Sequence, residues 1–519
     1  MEFEIIFKEA RSFTLECKDA GIYQLEEEYE IYLDNKLADK TNKIVHTVNG
    51  LKPDTEYKVF IKKGEEVSEP VVLHTDYESY TLNVRDFGAL GDGKRDDTGS
   101  IQAAIYACPK DGRVLVPKGI YKITSLFMKS DLRFELEEGA VLSAITEREK
   151  FPVLPGLIES YKEDSEYNLG TWEGNPLDMF AAIITCINVS NVVIYGKGII
   201  DGCADHENWW KNPKIKRIAW RPRQIFMNHC ENMVVQGIRV TNSPSWNIHP
   251  YFSKNLKFID LEILNPKDSP NTDGLDPESC ENVEIIGVYF SLGDDCIAIK
   301  SGKIYMGSKY KVPSKNLMIR QCCMRDGHGS ITIGSEMAAG VLDLTVKDCL
   351  FIDTDRGLRI KTRRGRGEDA IVDNILFENI QMDQVMTPFV INSFYYCDPD
   401  GLTEYVRTKQ PLPVDERTPN IKKLAFRNIS CKNCHVAAAF LYGLPEQKIE
   451  RVEMKNITVS YAEKPMSGVP AMMEGSIPCT KQGVYANNIT SLEIENVKIE
   501  GCEGEAFRIE NIDNLICEN

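Results

Sequence analysis

Asn255-Leu-Lys-Phe-Ile, Asn282-Val-Glu-Ile-Ile, Asn316-Leu-Met-Ile-Arg and Asn374-Ile-Leu-Phe-Glu are versions of one phrase, an asparagine followed by a short apolar strand. Related units begin at Asn191, Asn232, Leu344, Asn420 and Ser491. Most are separated by roughly 23 to 40 residues, a period that signals a solenoid with one coil per repeat. If each coil adds a strand to a parallel sheet, equivalent positions on successive coils stack about 4.8 Å apart. Residues far apart in sequence then share one surface stripe.

Four polar clusters fall about one per repeat: Asn271-Thr-Asp273-Gly, Gly293-Asp294-Asp295-Cys, Gly327-His328-Gly and Arg359-Ile-Lys361. Stacking would line them along one groove in that order. Glycosidic cleavage needs one carboxylic acid to protonate the leaving oxygen and a second carboxylate to activate water or to attack. Three aspartates crowded within two coils would push the pKa of one upward by like-charge repulsion and supply both protonation states. His328, between two glycines that permit close approach, could orient or tune one of them. Arg359 and Lys361 are two apart on a strand, so their side chains leave the same face. They belong to an acid-free run that includes Arg356, Arg363, Arg364 and Arg366, which fits recognition of an anionic substrate.

Composition bounds the partners. The 519 residues carry 42% hydrophobic and 27% charged side chains, ordinary for a globular protein. A net charge of −17 argues against nucleic acid or anionic membrane as general partners. No apolar run reaches the length of a membrane span. The opening Met1-Glu-Phe-Glu-Ile-Ile-Phe-Lys-Glu lacks a basic region followed by an apolar stretch, which gives a cytoplasmic expectation; a secreted or periplasmic chain trimmed of its leader would read the same way. The 16 scattered cysteines read as reduced core residues. Cys431-Lys-Asn-Cys434-His435 has haem-attachment spacing but stands alone inside a repeat, and one such pair falls short of a zinc site.

Residues 1–76 alternate apolar and polar in short runs divided by turn formers, the pattern of a small antiparallel sandwich. Leu51-Lys-Pro-Asp-Thr-Glu-Tyr57 resembles the tyrosine corner of fibronectin type III domains. Asp97 is placed to cap a short helix over Thr98–Cys108 that would cover the first coil. The solenoid is expected over 80–519, interrupted by a polar and aromatic insertion from about 146 to 176. Trp209, Trp210 and Trp246 are candidate sugar-stacking rings.

Together the four clusters resemble, in order, the signature motifs of polygalacturonases, glycoside hydrolase family 28. The resemblance covers about residues 80–519 and implies an all-β chain, a right-handed parallel β-helix here preceded by a fibronectin type III-like sandwich. It implies hydrolysis, with inversion, of α-1,4-galacturonosyl links in pectin or oligogalacturonates, without a metal or other cofactor. Carried over by motif, Asp294 is the general acid, Asp273 and Asp295 hold and deprotonate the water, His328 supports the site, and Arg359 and Lys361 bind the galacturonate carboxylate. Asn271, Trp246, His249 and Arg364 join them as expected substrate contacts. Ser243-Pro-Ser-Trp246-Asn-Ile-His249-Pro, Asp276-Pro-Glu-Ser-Cys280 and Gly334-Ser-Glu-Met337 resemble the bacterial exo-acting branch. The family's site tyrosine has two candidates, Tyr395 and Tyr396. Inversion further implies acid and base carboxyls about 6.5–9.5 Å apart. Alternatives are a hydrolase of another uronate glycan such as rhamnogalacturonan, and a pectate lyase-like β-helix enzyme. Oligomeric state is not legible.

Overall fold

The computed structural model describes residues 1–19, 21–156, 168–397 and 399–518. From Thr81 onward, short strands pair in parallel with the equivalent strands of neighbouring coils, forming a β-helix in which 28 strands are linked. Leu256, Val283, Leu317, Leu344 and Ile375 are register partners in succession. Each is 2% exposed or less, so the apolar residue after each phrase-opening asparagine forms one rung of a continuous core.

The asparagines themselves turn the corner. Asn191, Asn232, Asn255, Asn282 and Asn316 all adopt φ of 55–57°, a left-handed conformation that asparagine tolerates better than most residues. Asn232, Asn255, Asn282 and Asn316 each donate Nδ2–H to the Oδ1 of the asparagine one coil earlier, at 3.1 Å for Asn232 to Asn191 and for Asn255 to Asn232 and 2.9 Å for Asn282 to Asn255, while Asn191 donates to Asp131 Oδ1 at 2.9 Å. The repeated phrase is therefore a bend plus a register lock.

Helix Thr98–Ala107 buries Ile101, Ala104 and Ile105 over the first coil. Asp97 occupies the N-cap position without capping; its carboxylate accepts from the Leu90 and Gly91 amides, both at 2.9 Å, and ties down the preceding loop instead. Within the insertion, Val153–Leu154 pairs with Met179–Phe180 and Thr171–Trp172 forms a hairpin with Asn175–Pro176; its residues 157–167 lie outside the described residues.

The N-terminal strands form two antiparallel sheets with a shared apolar core. The Tyr57 hydroxyl accepts the Lys52 amide at 3.0 Å. Ile259 and Ile286 of the β-helix belong to the same apolar cluster as Phe13, Tyr29 and Ile61. Gln236 donates to Thr14 and accepts from Ser12, and Arg320 and Lys43 form ion pairs across the seam with Glu16 and Asp260. The sandwich is thus fused along one flank of the coils. Of the 16 cysteines, 11 are buried and all are free thiols.

Candidate active site

Parallel bridges connect Ile248, Leu275, Ile297, Ile331 and Leu358 on consecutive coils. Asp273 and Asp295 sit two residues before Leu275 and Ile297, so the two aspartates stack. Gly329 occupies the same place before Ile331. A Cβ there would lie 2.8 Å from Asp295 Oδ1, closer than packing allows, so only glycine leaves Asp295 its space. Asp294 and His328 form the adjacent column, with the His328 amide donating to the Asp294 carbonyl at 3.0 Å.

The three aspartates converge: one carboxylate oxygen from each lies within 4.8 Å of the others. Lys361 Nζ donates to Asp295 Oδ2 at 2.8 Å and Arg359 Nη1 to Oδ1 at 3.2 Å. Burial works to raise the Asp295 carboxyl, but the two cations and the lysine hydrogen bond outweigh it and hold it well below the usual range. Asp273 is driven the other way, well above its ordinary value, by burial and by the charges of Asp276 and Asp294. Crowding therefore does raise one member of the set, and that member is Asp273. Asp294 is the most accessible of the three, with its side chain 23% exposed, and it faces His328 Nδ1 at 3.3 Å. The hydrogen bond to Asp294 raises the imidazole value, burial opposes it, and the charge of Asp294 adds to the rise.

A second charged layer supports this one. Asp276 is fully buried, and among the described residues neither of its carboxylate oxygens finds a hydrogen-bond partner. Lys300 pairs with Glu336 at 3.1 Å and His249 with Glu278 at 2.9 Å. Burial, reinforced by Glu336, pushes Glu278 up to about 7. Beyond them the near-parallel indoles of Trp172 and Trp246 lie 6.3 Å apart, Arg223 approaches both, at 4.6 Å and 4.3 Å, and Lys300 lies 4.5 Å from Trp246. Trp220 stacks on Trp172 at 4.7 Å. This cluster of rings and cations pins the hairpin at residues 171–176 against the end of the groove that holds Asp273.

Several sequence expectations are corrected. Trp246 is 3% exposed, with Arg223 and Lys300 over its ring. His249 is fully buried against Glu278, and neither residue can meet a sugar. Arg364 forks onto Glu446 at 2.5 and 2.9 Å and donates to the Tyr405, Thr408 and Gln410 carbonyls, so it staples loops. The acid-free cationic run is not one surface: Arg356 spends its guanidinium on the carbonyls of Val469 and Pro470. Asn271 is half-buried beside Asp273, its Oδ1 accepting from Arg221 at 2.5 Å. Trp209 and Trp210 pack with Phe151 and Phe180 in a separate core. Both ring nitrogens of His435 are occupied, by Gln384 and the Met466 amide, which leaves the Cys431–Cys434 pair no ligand partner there.

Tyr395, not Tyr396, joins Arg359 and Lys361 in lining a small cavity, and the Lys361 ammonium lies 5.7 Å from its ring centre. Arg223, Lys300, Glu336 and Asp276 escaped the sequence reading as functional residues. The available signal was Lys300 at the end of the apolar strand Cys296-Ile-Ala-Ile, a buried position that demands a partner.

The model for "Glycosyl hydrolases family 28" matches residues 162–479, more than half of the chain, and that for "Rhamnogalacturonase A/epimerase, pectate lyase-like" matches residues 81–133. A Vitis vinifera protein described as "Probable polygalacturonase" is 30% identical over 394 residues, covering 74% of this chain and 75% of its own. The "Exo-poly-alpha-D-galacturonosidase" of Dickeya chrysanthemi is 25% identical over 418 residues, covering 70% and 66%. In fold, the chain is similar to the family 28 exopolygalacturonase structure from Yersinia enterocolitica, with a TM-score of 0.68 at 20% identity over 99% of this chain and 98% of that one. The β-helix, the aspartate cluster on it and the family match over more than half of the residues agree: the chain belongs to glycosyl hydrolase family 28.

Proposed function

We propose that this glycoside hydrolase is an exo-acting polygalacturonase that trims α-1,4-linked galacturonate from short oligogalacturonates. The observation that carries the reading is the cluster of Asp273, Asp294 and Asp295 within 4.8 Å, with two cations at its edge. Asp294, the accessible member, protonates the glycosidic oxygen as the C1–O bond breaks. Water adds to C1 and loses its proton to Asp273, whose raised affinity suits a base. Asp295, held ionised, orients the water and stabilises positive charge at the anomeric centre. The proton then returns from Asp273 to Asp294 across a gap that one bridging water spans, which closes the cycle.

Inversion is part of the proposal. Attack by a carboxylate needs a free oxygen, yet both oxygens of Asp295 are engaged by Lys361 and Arg359, and Asp273 is committed to the attacking water as its base. Arg359, Lys361 and Tyr395 supply the contact for a uronate carboxylate. Exo action rests on the Trp172–Arg223–Trp246 stack, which fixes a wall across the groove.

The test is digestion of hexagalacturonate, with products separated by chromatography and the first anomer read by proton NMR. The proposal expects a single short product from the earliest times and the inverted anomer. A ladder of mid-sized oligomers would refute exo action, and a retained anomer would make Asp273 or Asp295 a nucleophile. An ultraviolet-absorbing unsaturated product lost on adding chelator would replace hydrolysis with elimination.

A further inference from the structure

At the end of the groove opposite the 171–176 hairpin lies Gly468-Val-Pro-Ala-Met-Met-Glu-Gly-Ser-Ile-Pro-Cys479. Gly468 and Cys479 exchange backbone hydrogen bonds at 3.2 and 2.9 Å, which closes the base of a 12-residue loop of the Ω kind. The loop is fastened from both sides. Arg356 donates to the Val469 and Pro470 carbonyls at 2.8 and 3.0 Å, and Asn392 Nδ2 to the Met472 carbonyl at 2.9 Å. Ala471 is buried against Val390 and Phe440, with Met473 packed alongside. Glu474 pairs with Arg407, which belongs to a separate excursion of the chain.

This fastening puts an apolar surface where a longer substrate would continue. Arg359 already donates Nη2–H to Met472 Sδ at 3.1 Å, so a thioether, a weak acceptor, occupies a place a sugar oxygen could take. The space left between the loop and Arg359, Lys361 and Tyr395 is about 10 Å³, room for about one water. Each additional galacturonate would bring a carboxylate against Pro470, Ala471 and Met472, which offer it nothing in exchange for its hydration.

We propose that the 468–479 loop closes the groove opposite the hairpin, with Met472 as the limiting residue, so that the enzyme selects galacturonate oligomers of a few residues over the polymer. This rests on the galacturonan reading of the site. It goes beyond exo action, because a groove blocked at one end still accepts a long chain, whereas one blocked at both ends does not.

The test is kcat/KM per chain end for di-, tri- and hexagalacturonate and for polygalacturonate. With the wild-type enzyme the value falls at least about tenfold from the trimer to the polymer, which is about 1.4 kcal/mol of discrimination. Met472→Ala, and Glu474→Gln through its loosened clasp to Arg407, each narrow that ratio by about threefold or more, equivalent to about 0.65 kcal/mol. Equal values for trimer and polymer overturn the closure, and a ratio unmoved by either variant overturns the role of Met472. A folded enzyme that cleaves no galacturonate of any length removes the underlying activity instead, a result distinct from uniform cleavage of all lengths.

Discussion

Replacing Lys361 with methionine separates the two roles this lysine can play, substrate contact and partner of Asp295. The resemblance to polygalacturonases makes Lys361 a ligand for the substrate carboxylate, whereas the coordinates put its ammonium 2.8 Å from Asp295 Oδ2. At an effective dielectric of about 20, unit charges at that distance attract by roughly 6 kcal/mol, and breaking a buried pair by removing one partner costs about 3–5 kcal/mol. At about 1.36 kcal/mol per pH unit, Asp295 should climb by roughly 2–4 pH units. Its starting point is well below the usual range, so Lys361→Met brings it to or past the ordinary carboxylate value. The assay is kcat/KM on trigalacturonate between about pH 3 and pH 7, because a carboxylate of ordinary affinity titrates within that window. The acid limb should move upward, and the loss at pH 4 should exceed the loss at pH 6 by about tenfold, as one unit of misplaced titration requires. Stability follows the same linkage. A depressed carboxyl contributes stability above its unfolded value of about 3.9 and loses it as pH falls through the folded value, so the urea midpoints of the two proteins differ most above about pH 5 and converge in acid. A Lys361→Met enzyme whose KM rises equally at every pH, with the acid limb in place, would refute the reasoning and return Lys361 to the substrate alone.

Three further outcomes follow from the packing. Arg364→Leu leaves Glu446 buried without its fork and should lower stability by about 3–5 kcal/mol in urea unfolding while KM stays within about twofold; a stable variant with a large KM increase would place Arg364 on the substrate. Trp172→Ala removes the ring that holds Arg223 and the hairpin, a contact of about 2 kcal/mol beyond the lost packing, and mid-length products should then appear in the chromatogram; an unchanged product pattern detaches the wall from exo action. His328 has a raised value, so its protonated form persists to higher pH and is lost as pH rises. The alkaline limb of kcat should therefore lie above the ordinary imidazole value of about 6.5, and a limb in the usual carboxylate range, near pH 4, would contradict a role for the protonated His328.

The parallel coils were legible because their signal repeats: an asparagine able to turn left-handed, followed by an inward apolar residue, recurs at each bend. Register then carried Asp273, Asp294, Asp295, His328, Arg359 and Lys361 together, since stacking converts repeat position into spatial neighbourhood. What stacking does not encode is the direction of loops and the partner each buried charge finds. Arg364 looked like its neighbours in sequence, yet Glu446, in a loop 82 residues later, claims it. Trp246 and His249 lie next to the groove in sequence but point beneath it, because Arg223, Lys300 and Glu278 arrive from other coils. The 468–479 loop reaches the site through Arg356, Arg359 and Asn392, contacts that no local pattern announces.

Cleavage as proposed requires Asp294 to deliver the proton that frees the leaving sugar. The direct measurement is galacturonate release from digalacturonate by wild-type enzyme and by Asp294→Asn, followed chromatographically beside thermal unfolding of both proteins. The amide keeps the shape and cannot give up a proton, so kcat should fall by at least about 10³ with the unfolding temperature unchanged. A folded Asp294→Asn enzyme that still releases galacturonate at near wild-type rate would contradict the assignment at its centre.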